Sequence, residues 1–231
     1  MLGAHFLLNE VFVMKRKFTT KELTTLAMIT AIAYVLVSVI RIPVVLFLKY
    51  EPKDVIITIG GFLMGPSAVL ISSSVVALIE MFTISETGII GCIMNFLSTC
   101  SYAFVAALVY KKRHTMKGAI AGLAAGTVFM VSAMLLWNYL ITPLYMTGTS
   151  RADIAGMLLP VFLPFNLLKA GLNSSITLLL YKPLVNGLRR AGLVTAAPAA
   201  SKGTKKPGVL IFAALLLIIC ILLVLSYRGI I

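Results

Sequence analysis

Long apolar runs alternate with short charged breaks along the whole chain. Residues 24–40, 67–84, 89–110, 118–140, 156–184 and 209–227 are each close to the roughly 20 apolar residues that a helix needs to cross a bilayer. Residues 55–64 form a shorter run that contains Gly60-Gly61 and ends at the turn-forming pair Gly65-Pro66. The pattern predicts an all-α, polytopic membrane protein with seven spans. Between the first two lies RIPVVLFLKYEPKD, residues 41–54, which is apolar yet marked by Pro43 and Pro52. Those prolines argue against a continuous helix. The stretch 44–50 is expected to fold as a hydrophobic flap, with Lys49, Glu51, Lys53 and Asp54 on the outer side at its end.

The sixth run departs most from simple lipid solubility. Asn166, Lys169 and Asn173 sit in the middle of GMLLPVFLPFNLLKAGLNSSITLLLYKPL. A charge at membrane depth costs about 2.5–3.5 kcal/mol on insertion scales, so a mid-span lysine points to a functional site. Asn166 and Lys169 are three residues apart and share a helix face. Pro160 and Pro164 just before them should kink or delay the helix and open room beside it. Together these features predict one wall of a small-molecule pocket. The alternative for Lys169 is a buried ion pair with Glu80 of the third run. Glu80 itself reads as structural, solvated or ligand-contacting. Asn173 and Ser174 read as helix–helix hydrogen bonds.

Composition narrows the function. Hydrophobic residues make up 60% of the 231 and charged residues only 12%, against about 25% charged in soluble domains. No phosphate-binding G-x-x-x-x-G-K-[ST] loop is present, so an ATP-driven role would need partner chains. The formal charge of +13 reflects basic residues at span ends rather than a face for nucleic acid. Fourteen of the 20 Lys and Arg fall on one side when the spans alternate, including Lys15, Arg16, Lys17, Lys21, Lys111, Lys112 and Arg113. That asymmetry puts the N-terminal segment, residues 1–23, in the cytoplasm. Residues 191–208 read as a flexible basic linker before the last span. Cys92, Cys100 and Cys220 lack metal-ligand spacing and read as small buried apolar side chains. The spans, so bounded, hold no His or Asp, which disfavours an intramembrane hydrolase.

Three segments carry a family resemblance: FLKYEPKDVIITIGGFLMGP, WNYLITPLY and FLPFNLLKAGLNSSITLLLYKPL. Over residues 24–190 the chain resembles the substrate-binding S components of energy-coupling-factor (ECF) transporters, and within them the riboflavin-specific branch. The resemblance implies a six-helix bundle in a bacterial plasma membrane, here with one additional C-terminal helix. It implies a riboflavin pocket that faces outward and a non-enzymatic role, with no cofactor beyond the transported ligand. It also implies as partners a membrane T component and two ABC-type ATPases. The family's polar pocket groups fall on Asn138, Asn166 and Lys169. Leu48, Lys49 and Tyr50 of the flap, with Trp137 and Tyr145, would cover the flavin ring. The family's A-x-x-x-A docking motif falls on Ala27 and Ala31 of the first span. From their spacing alone, those two alanines suit internal packing equally well.

Overall fold

The computed structural model describes residues 18–146, 148–190 and 207–229. Helix α1 (Thr20–Val39) starts at a capping box in which Thr19 and Glu22 satisfy each other's backbone amides. A β-hairpin follows, β1 (Ile42–Val45) and β2 (Leu48–Tyr50), paired antiparallel with a bulge between Pro43 and Val45. Then come α2 (Lys53–Met64), α3 (Pro66–Thr83) and α4, which is Gly88–Lys112 with a π-helical turn at Cys100–Phe104. Helix α5 (Met116–Tyr145) is capped by Thr115. Helix α6 runs through Arg151–Met157, a π turn at Leu158–Phe162, and Leu163–Arg190. Helix α7 is Pro207–Tyr227. Six of the seven are long and apolar enough to cross a membrane.

The exception is α2. Its 12 residues rise only about 18 Å at 1.5 Å per residue, short of the roughly 30 Å hydrocarbon core. Every residue from Lys53 to Phe62 is buried, because α1, α3, α4 and α6 all pack around it. The flap is a two-stranded sheet, the single β element among the described residues. Its tip residue Leu46 has φ 51°, a left-handed conformation that costs a leucine about 1 kcal/mol or more. The fifth helix outlasts the apolar run that ends at residue 140. Helix α5 continues through Pro143 to Tyr145, and the next helix begins at Arg151. The expected linker lies outside the described residues, apart from Pro207 and Gly208, which open α7; residues 1–17 of the N-terminal segment lie outside them too.

Small residues let the helices close on one another. A Cβ at Gly122 would stand 2.6 Å from the Ala106 carbonyl oxygen, and one at Gly126 would strike the Tyr102 carbonyl. Only glycine therefore allows α5 to lie this close to the α4 backbone. Hydrogen bonds join the helices at Thr30–Ser72 (2.8 Å), Tyr102–Ser174 (2.8 Å) and Tyr110–Tyr181 (2.6 Å). Large apolar side chains such as Phe82, Val128, Phe129 and Leu136 point outward, as a lipid solvent allows. On α1, Ala27 and Ala31 are exposed while Ala33 is fully buried, so the first two do not pack inside the bundle.

Candidate functional site

A cavity opens at the end of the bundle that carries the hairpin. It encloses about 890 Å³ of empty space, counting its open mouth and the solvent space there. Phe47, Leu48 and Lys49 of the hairpin roof it. Ser85, Glu86 and Thr87 of the α3–α4 loop form one rim. Helix α4 contributes Met94, Asn95 and Ser98, and α5 contributes Met134, Asn138 and Tyr145. Phe165, Asn166 and Lys169 of α6 complete the wall, and Arg41 and Glu51 lie at the edge.

The π turn sets the α6 wall. It spans Leu158–Phe162, with Pro160 inside it and Pro164 just after it, and their missing N–H groups break the regular ladder. The Asn166 amide donates to the Phe162 carbonyl at 2.7 Å, which fixes the side chain. No donor among the described residues reaches its own carbonyl oxygen. On α5, Asn138 donates to the Met134 carbonyl at 2.7 Å and accepts from Thr142 at 3.0 Å. Thr142 and the Tyr145 hydroxyl lie 3.1 Å apart. Phe47 meets Tyr145 edge-on at 5.7 Å between ring centres.

Lys169 is 7% exposed and is held from behind. Its ammonium lies 3.2 Å from the Asp54 carboxylate and donates to the Ser98 hydroxyl at 3.0 Å. Asp54 is fully buried and also accepts from Thr99 at 2.7 Å and Asn173 at 3.3 Å. Beside this group, Lys53 reaches both Glu80 oxygens at 2.6 Å and Glu51 at 2.8 Å. Asn95 donates to Glu80 at 2.7 Å, and Arg41 pairs with Glu51 at 2.8 Å. Three cations, Arg41, Lys53 and Lys169, thus meet three anions, Glu51, Asp54 and Glu80. Formal charge cancels, which is what makes such burial tolerable. Burial works to raise the Glu51 pKa, but Lys53, Lys169 and Arg41 together hold it down at about 2. At the rim, exposed Glu86 pairs with Lys49, whose hydrogen bond and charge lower its pKa.

The placement of the expected residues is uneven. Asn138, Asn166, Lys169, Leu48, Lys49 and Tyr145 are brought together on the cavity wall. Tyr50, Trp137 and Glu80 are not. Tyr50 is buried in a separate apolar cluster, and Trp137 packs into the main core. The alternative pairing of Lys169 with Glu80 does not form: Glu80 pairs with Lys53, and Lys169 pairs with Asp54. Glu51, Lys53 and Asp54 do not lie on the outer surface at the flap's end. Mutual neutralisation carries them inside, and Asp54 sits in the first turn of the short buried helix α2. Arg41, Ser98, Phe47 and Phe165 were not legible as cavity residues. A mid-span lysine demands a buried acid somewhere in the chain, and the KYEPKD cluster was the overlooked source.

These features define a polytopic helical membrane protein with a roofed, charge-balanced cavity at one end. Residues 21–181 match the family model described as ECF transporter, substrate-specific component, and the chain belongs to that family. A solved structure of the S component of a bacterial ECF transporter superposes with a TM-score of 0.60 at 31% identity, over 74% of this chain and 98% of that one. The riboflavin transporter RibU of Staphylococcus aureus (strain TCH60) is 32% identical over 179 residues, 74% of this chain and 93% of its own length. RibU of Streptococcus thermophilus is 28% identical over 177 residues, covering 71% and 83%.

Proposed function

We propose that this chain captures riboflavin at the outer face of a bacterial plasma membrane and presents it for ATP-driven uptake. The observation that carries this reading is the joint placement of Asn138, Asn166 and Lys169 on one wall under an apolar roof. Riboflavin offers a flat ring system with a carbonyl-rich edge and a polar ribityl tail. Phe47, Leu48, Tyr145 and Phe165 supply apolar cover for the ring faces. The asparagine amides match alternating donors and acceptors at the ring edge, and the lysine, a donor only, suits a carbonyl or ribityl oxygen. The named RibU relatives support the same ligand. The chain itself makes and breaks no bond.

Energy comes from partners: a membrane T component and two ABC-type ATPases. The exposed pair Ala27 and Ala31 on α1 is the proposed docking face, since small residues allow a second helix to approach closely. The basic side of the chain, with the N-terminus, faces the cytoplasm, and the cavity opens opposite. Ala27→Trp is the direct test. The variant should still bind riboflavin in detergent but lose co-purification with the T component. Unimpaired assembly would refute the docking face.

A further inference from the structure

Helix α7 lies outside the family match, which ends at residue 181. The solved S component is used up almost entirely, 98% of it, by 74% of this chain. Yet α7 is more than an apolar anchor. Ala213 and Cys220 are 0% and 4% exposed, and Leu217 and Val224 are half-buried on the same stripe. Most of the rest of the helix faces outward.

The inward stripe meets α6 at Gly171, where a Cβ would stand 2.8 Å from the Cys220 sulfur. At about 100° per residue, Gly171 lies about 200° around the helix from Lys169, while Asn166 and Asn173 lie within about 60° of it. Helix α7 therefore braces the back of α6, away from the cavity. It also touches strand β1. One buried apolar cluster contains Cys220, Phe165 and Leu172 together with Val44, Leu48 and Tyr50 of the hairpin. Leu217 and Val224 pack against that cluster. Two of its members, Leu48 and Phe165, are cavity residues. A continuous apolar path thus runs from α7 to the cavity roof.

We propose that α7 is a buttress that holds the hairpin down over the cavity and slows release of the bound ligand. The claim about ligand release rests on the riboflavin reading; the claim about the hairpin does not. The test uses the full chain and two variants, Leu217→Ala/Val224→Ala and Gly171→Leu. The first thins the contact, and the second drives α7 away from α6. Hydrogen exchange of the amides in residues 42–50 is measured without ligand, and riboflavin release is followed by flavin fluorescence after dilution. Faster exchange in the hairpin, with roughly tenfold quicker release, is expected, since changes at one interface appear mainly in the off-rate. The milder double-alanine variant decides if Gly171→Leu fails to fold. Exchange unchanged across residues 42–50 in a folded variant would overturn the proposal. A parent chain that binds no riboflavin would sink the functional reading and leave exchange to decide the buttress.

Discussion

Asp54→Asn is the perturbation that probes the site most deeply. The carboxylate is fully buried and takes three contacts: Lys169 at 3.2 Å, Thr99 at 2.7 Å and Asn173 at 3.3 Å. An asparagine keeps one acceptor oxygen, enough for Thr99. Its amide group then faces the Lys169 ammonium or the Asn173 amide, donor against donor. Removing one partner of a buried ion pair costs about 3–5 kcal/mol, because the other charge is left uncompensated. In a chain of this size that corresponds to a fall in Tm of about 10 °C. Lys169 would keep the Ser98 hydroxyl at 3.0 Å but lose its orientation, and riboflavin affinity should fall about 10–100-fold. The assay is a double-mutant cycle with Lys169→Met, read by thermal unfolding in detergent. The two changes should be less costly together than their sum by about 1–3 kcal/mol, since the double variant buries no lone charge. Additivity within about 0.5 kcal/mol would refute the pairing.

Glu80→Gln should destabilise the fold by about 1–2 kcal/mol, because Lys53 loses one of its two carboxylate partners and keeps Glu51, while shifting riboflavin affinity far less than Asp54→Asn does; thermal unfolding and titration of the same sample separate the two effects. Lys49→Glu should speed flavin release only a few-fold, in a salt-dependent way, because its pair with Glu86 is exposed. The swapped double variant Lys49→Glu/Glu86→Lys should restore the parent rate. The Glu51 carboxylate is held at about 2, so its contribution to stability is present above the ordinary value of 4.5 and is lost as pH falls from there toward 2. Hairpin protection, measured relative to the intrinsic exchange rate at each pH, should therefore stay flat from about pH 8 to 5 and fall only in more acidic buffer.

Much of the architecture was legible because a bilayer imposes a coarse and regular constraint. Each apolar run became a helix, and Gly122 and Gly126 lie where α5 meets the α4 backbone. What escaped was depth and partnership. Hydropathy treats each charge alone, so Glu51, Lys53 and Asp54 read as an outer loop, whereas Arg41, Glu80 and Lys169 neutralise them inside the bundle. Their partners lie up to about 115 residues away, beyond any local pattern. Trp137 precedes Asn138 by one residue, and that single step of about 100° carries the indole off the cavity wall into the core. Four-residue β1 owes its extended form to Pro43 and to pairing with β2, and linear periodicity cannot register so short a strand. The wall itself, Asn166 with Lys169, was readable from a three-residue spacing and the cost of a charge in lipid.

The central claim is that this cavity binds riboflavin through its α6 wall. Titration of the detergent-purified chain with riboflavin, followed by flavin fluorescence, tests it most directly. The account predicts quenching that saturates at one flavin per chain and weakens at least about tenfold in both Asn166→Ala and Lys169→Ala. No quenching by the parent chain, or equal affinity in both folded variants, would contradict it.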